Sequence, residues 1–75
     1  MEELLKILNS IKPGPDYANS DSLVEDGTLD SLAIVFLVAA IDNAFDVHIK
    51  ATDLVPENFN SAESIYRLIQ RLEEE

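Results

Sequence analysis

An uncharged stretch, SLAIVFLVAAI, runs from Ser31 to Ile41 in a chain that carries 15 acidic and 5 basic residues among its 75. At about 100° per residue, its apolar side chains gather on two opposite sides of a helix. One side, the core face, comprises Ile34, Leu37, Val38, Ile41 and Phe45. The other side, here called the second face, comprises Leu32, Val35, Phe36 and Ala39, and Asp42 closes it with polarity.

A chain this short has few other elements with which to bury both faces of that helix. An exposed apolar patch with a polar rim is typical of a docking surface, so the second face is interpreted as a partner-binding surface. The alternative is that the long loop preceding the helix folds over the second face and covers it.

Helical signals also dominate the rest of the chain. The N-terminal MEELLKILNSI has an apolar stripe at helical spacing and ends where Pro13 disfavours helical geometry at Lys12. A long loop from Lys12 to Leu29 follows, with residues 22–24 as its expected anchor in the core. The second helix is expected to start at Asp30 or Ser31 and to run to about Phe45.

The C-terminal part of the chain predicts one short and one long helix. Pro56 suits the first position of a short helical turn. Asn60 or Ser61 can cap the last helix, and Asn60 with Glu63 has the spacing of a capping box. The prediction is therefore an all-α, small four-helix bundle of three main helices and one short helix with a long first loop, in a single domain covering 1–75.

Charge and composition narrow the classes of partner and compartment. The net charge of -10 argues against nucleic acid and anionic lipid as partners and favours proteins with basic patches. No segment approaches the ~18–20 apolar residues of a membrane span, and the acidic N-terminus is unlike a signal peptide, so membrane insertion is not expected. For the same reasons the expected location is the cytoplasm, and the absence of cysteine fits a reducing compartment. We expect a monomer.

Ser31 is the polar residue at the head of the second face. Serine at a helix start is often only a cap. However, Asp30 can supply that cap, which leaves the Ser31 hydroxyl accessible beside the N–H groups and positive dipole of the helix N-terminus. Such a position suits a serine that carries a phosphate ester.

The string EDGTLDSL, placed after an acidic loop and at the start of an apolar helix, resembles the attachment motif of acyl and peptidyl carrier proteins. The resemblance extends over the whole chain: an N-terminal helix, a long loop, the DSL helix, a short helix and a C-terminal amphipathic helix. It implies that Ser31 carries 4′-phosphopantetheine, transferred from coenzyme A by a phosphopantetheinyl transferase with Mg²⁺. Asp30 matches the acid of the motif.

The resemblance also implies partners and a non-catalytic role. An acyl- or aminoacyl-activating ligase or an acyltransferase would load the arm, and downstream acyl-using enzymes would take its cargo. The partner surface carried over is Leu32, Val35, Phe36, Ala39 and Asp42. Carriers of fatty acid synthesis usually place several acids on this face, whereas Ala33, Phe36 and Ala39 stand here, which favours D-alanyl or stand-alone aminoacyl carriers. Asp46 stands where carriers often have glycine, a left-handed position that Asp tolerates.

The sequence also allows alternatives to a carrier. A catalytic triad built on Ser31 and His48 lacks support in so short a chain. A calcium loop with Gly27 at its sixth position fails, because Val24 and Ala33 would then have to be ligands. Loose cation binding by the loop acids stays open: Asp16, Asp21, Glu25, Asp26 and Asp30. The remaining alternative is a helical adaptor that docks one partner through the second face and uses Ser31 only as a cap.

Overall fold

The computed structural model describes residues 1–74. It contains four α-helices, with no strand among the described residues: α1 (Glu2–Ile11), α2 (Ser31–Phe45), α3 (Pro56–Phe59) and α4 (Ala62–Glu73). A 3₁₀ turn, Ala51–Asp53, precedes α3 and was not predicted. The prediction of an all-α bundle with three main helices, one short helix and a long first loop is confirmed.

The core is apolar and draws on every α-helix and on the long loop. α1 packs against α2 and α4, and α3 packs against α4. The C-terminal helix α4 is amphipathic as expected: Ile65, Leu68 and Ile69 are buried, and Leu72 is half-buried. Buried hydrophobic residues are Leu4, Leu8, Tyr17, Leu23, Leu29, Leu37, Ile41, Ile49, Phe59, Ala62, Ile65, Leu68 and Ile69.

Between α2 and α4, the predictions for the end of α2 and the start of α3 agree with the structure, whereas part of the prediction for the start of α4 does not. Asp46 ends α2 in the left-handed conformation, with φ 54° and ψ 47°, as expected for an aspartate in a glycine-like position. Pro56 is the first residue of α3. The cap of α4 is Ser61, in a reciprocal pair with Ser64, so the expected capping box of Asn60 with Glu63 is wrong. A serine hydroxyl both donates and accepts, which lets Ser64 replace the usual Glu or Gln.

The long loop is anchored more widely than residues 22–24. Tyr17, Leu23 and Leu29 are all buried in the core. The hydroxyl of Tyr17 donates a hydrogen bond to the main-chain O of Lys12, and burial raises the pKa of the Tyr17 phenol above its usual value. The loop therefore has fixed points along its length even though it lacks regular structure.

Candidate functional site

At the N-terminus of α2, Asp30 caps the helix and the Ser31 hydroxyl takes no part in the cap. Asp30 Oδ1 accepts a hydrogen bond from Ala33 N at 2.8 Å, and Asp30 O accepts from Ile34 N at 2.9 Å. Asp30 is thus the cap residue. Ser31 is exposed, and its hydroxyl has no hydrogen-bond partner within residues 1–74. Because the cap does not use it, the hydroxyl is available for chemistry.

The turn before Asp30 brings Ser31 to the surface. Gly27 has a positive φ of 84°, a conformation that side chains disfavour. Asp26 Oδ1 accepts from Thr28 N at 2.9 Å. Hydrogen bonds from the side chain and backbone of Thr28, aided by the charge of Lys12, lower the pKa of the exposed Asp26 carboxyl. This short turn is followed by the buried Leu29, which fixes the entry into α2.

The first turn of α2 also offers unsatisfied main-chain donors. The N–H groups of Ser31 and Leu32 lie too early in the helix to reach an intrahelical carbonyl. They stand at the positive end of a helix dipole 15 residues long. A phosphate ester on Ser31 would therefore meet donors and a favourable potential in this chain.

The second face of α2 is open to solvent. The exposed fractions of Leu32, Val35 and Phe36 are 64%, 63% and 57%. Ala39 is exposed beside them, whereas Leu37 and Ile41 on the core face are fully buried. The alternative in which the long loop covers the second face is wrong, because the loop packs into the core through Tyr17 instead.

Asp42, at the far end of the second face, is engaged in local structure. Asp42 Oδ1 accepts from Ile49 N at 3.1 Å, and Oδ2 lies 3.7 Å from His48 Nδ1. The carboxylate thereby ties the end of α2 to the segment that follows it. A role of Asp42 in partner binding stays a prediction. The structure adds a structural role, because Asp42 connects α2 to Ile49 and His48.

Ser31 is the first residue of α2, whereas His48 follows the end of that helix and lies beside Asp42 in its last turn. A helix of 15 residues is about 22 Å long at 1.5 Å per residue. A triad that uses both residues is therefore geometrically impossible in this fold. No group of three or more His, Asp or Glu side chains within the described part of the chain is arranged to hold a metal ion.

Two features of the surface were not anticipated from the sequence. Leu54 and Val55 are exposed apolar side chains just before α3. The signal that could have found them is an adjacent aliphatic pair in a stretch that has no helical period. Asn60, expected only as a cap, is bonded to the long loop instead.

Residues 1–74 form no helix with the length and apolar character that crossing a membrane requires.

Comparison with known proteins gives relatives of one kind. The chain is 27% identical over 77 aligned positions to a D-alanyl carrier protein of Lactococcus lactis subsp. lactis (strain IL1403), spanning 99% of this chain and 96% of that protein. A D-alanyl carrier protein of Lactococcus lactis subsp. cremoris (strain MG1363) is 29% identical with the same coverage. An acyl carrier protein of Buchnera aphidicola subsp. Baizongia pistaciae (strain Bp) is 42% identical over 53 positions, which is 71% of this chain and 65% of that protein.

These relatives confirm the resemblance to carrier proteins that the DSL motif and its surroundings suggested. No family model matches the chain, and no solved structure matches it significantly. Homologues named carrier proteins support a carrier role in general.

Proposed function

We propose that this chain, a homologue of D-alanyl and acyl carrier proteins, bears a 4′-phosphopantetheine arm on Ser31 and shuttles acyl or aminoacyl groups between separate enzymes. The observation that carries the proposal is the free, exposed hydroxyl of Ser31 beside a cap that Asp30 already provides. The arm would supply a terminal thiol for a thioester, which suits a chain that has no cysteine of its own.

The residues around Ser31 fit such a group. The Ser31 oxygen would form the phosphoester, and the N–H groups of Ser31 and Leu32 would donate to the phosphate oxygens. Asp30 uses Oδ1 for the cap, so its second oxygen remains for the Mg²⁺ that the transferase brings with coenzyme A. The chain itself is assigned no catalysis.

The second face would be the docking surface for partner enzymes. Leu32, Val35 and Phe36 are exposed directly after the proposed attachment residue, and Ala39 continues the surface. Burying such side chains against a partner is worth roughly 25 cal/mol per Å² of apolar area. Because no charge lies between Ser31 and Ala40, docking at this face would depend mainly on apolar contact and less on salt.

The same uncharged face supports an aminoacyl cargo over a fatty acyl one. The proposed loading enzyme is an adenylating ligase that transfers an amino acid, with D-alanine as the first candidate because three relatives are named D-alanyl carrier proteins. The second candidate function is a helical adaptor, which the exposed second face would also support. Only the carrier needs the Ser31 hydroxyl.

The experiment that tests the proposal is the intact mass of the protein after incubation with coenzyme A, Mg²⁺ and a broad-specificity phosphopantetheinyl transferase. We expect the mass to increase by one phosphopantetheine. The control omits the transferase and should leave the mass unchanged. A protein whose helical circular dichroism is intact but whose mass does not change would overturn the carrier and favour the adaptor.

A further inference from the structure

A single residue at the junction of α3 and α4, Asn60, is bonded to three consecutive residues of the long loop. Its main-chain O accepts from Leu23 N at 2.9 Å. Its side-chain Oδ1 accepts from Val24 N at 3.1 Å and from Glu25 N at 3.4 Å, while Nδ2 donates to Glu25 Oε1 at 3.3 Å. Asn60 therefore supplies the acceptors that an irregular segment cannot supply for itself.

The residues that Asn60 holds are bonded in turn to the entry of α2. Leu23 O accepts from Leu29 N at 2.8 Å, and Val24 O accepts from Gly27 N at 3.2 Å. Leu23 and Leu29 are both buried, and Leu29 directly precedes Asp30. Asn60 thus holds residues 23–25, and these residues in turn hold the turn that leads into α2.

The cap of α4 does not account for the Asn60 side chain. Ser61 and Ser64 satisfy each other at the start of α4 through both side chains and main chain. Within residues 1–74, every hydrogen bond of the Asn60 side-chain amide leads to the loop. The Asn60 side chain therefore acts on the long loop, which leads to Ser31 at the start of α2.

We propose that Asn60 is a positioning residue that keeps residues 23–29 in the conformation in which Ser31 is presented to the enzyme that modifies it. The inference rests on the proposed attachment of the arm to Ser31. Loss of the Asn60 amide leaves Val24 N and Glu25 N to bond to water, so the loop samples other conformations while the helices remain packed. An enzyme that binds only one conformation then has a lower apparent affinity, in proportion to the fraction that is competent.

The test is the steady-state kinetics of phosphopantetheine transfer, with the protein itself as the varied substrate. For Asn60→Ala we expect KM to rise about fivefold with kcat unchanged, which is the signature of lost ground-state recognition. Amide hydrogen exchange should become faster at Val24 and Leu29 and stay at the parent rate at Leu37 and Ile41 on α2.

Two variants separate positioning from a general loss of stability. Asn58→Ala is the matched control, because Asn58 Nδ2 donates to Asp53 O at 2.8 Å and so holds a different segment. It should keep the parent KM. Asn60→Asp combined with Glu25→Gln should restore KM to within about twofold, since the new carboxylate still accepts from both amides and the new amide donates to it.

The outcomes are distinguishable. If the parent protein is modified but Asn60→Ala and Asn58→Ala have the same KM, the positioning role is overturned. The proposed function is then left intact. Faster exchange in α2 as well as in the loop would likewise overturn it, because the residue would then act on stability alone. A folded parent that accepts no arm overturns the proposed function, and this inference with it.

Discussion

Replacement of Ser31 by alanine is expected to abolish attachment of phosphopantetheine completely while the protein stays folded. The hydroxyl is the only atom of this side chain that can form the phosphoester, so the loss is total rather than graded. The cap of α2 is provided by Asp30, whose bonds to Ala33 N and Ile34 N do not involve the Ser31 hydroxyl. Alanine is also a better helix former than serine by roughly 0.5 kcal/mol, so thermal stability should not fall.

Ser10→Ala is the matched control for this variant. Ser10 is also an exposed serine on a helix, and its hydroxyl donates to Ile7 O at 2.8 Å. It should gain the arm as fully as the parent does, as measured by intact mass. A Ser31→Ala protein that still gains one phosphopantetheine would place the attachment site elsewhere.

Truncation of Leu37 to alanine is expected to lower the free energy of unfolding by about 3 kcal/mol, measured by urea denaturation. Leu37 is fully buried on the core face of α2. Leu→Ala changes in a packed core cost roughly 2–5 kcal/mol, because apolar contact is lost and a cavity remains. In a domain of 75 residues this is a large share of the total stability.

Leu32→Ala is the same change on the opposite side of the same helix. Leu32 is mostly exposed on the second face, so its truncation should change the free energy of unfolding by less than about 0.5 kcal/mol. If both truncations cost the same, the second face would be covered in solution, and its proposed docking role would have no surface on which to act.

Much of the architecture could be predicted because the apolar periodicity of each helix agrees with the residues that begin and end it. The two faces of α2 followed from spacing alone, and the structure buries Leu37 and Ile41 while exposing Leu32, Val35 and Phe36. The left-handed end at Asp46 and the short helix beginning at Pro56 followed from backbone preferences that each residue carries with it.

The loop could not be predicted in the same way, because its contacts are between residues far apart in sequence. Tyr17 is buried in a stretch that has no period, and nothing local indicates that its ring packs into the core. Asn60 has the sequence position of a helix cap, and only the fold reveals that Val24 and Glu25 are its partners. The sequence pointed to Ser31 as the proposed attachment residue, whereas the contacts proposed to present it depend on tertiary structure.

The candidate site was predicted to a similar extent. The accessible hydroxyl of Ser31 and the capping role of Asp30 were both anticipated from residue types at a helix start. The use of Asp42 by the main chain of Ile49 was not anticipated, because it depends on how the segment after α2 folds back.

The most direct test of the central claim is to locate the arm within the modified protein by fragment-ion mass spectrometry. The chain contains six serines: Ser10, Ser20, Ser22, Ser31, Ser61 and Ser64. We expect every modified fragment to include Ser31 and the other five serines to keep their unmodified masses. An arm found on another serine, or none on a folded protein exposed to coenzyme A and the transferase, would contradict the assignment of Ser31 as the carrier residue.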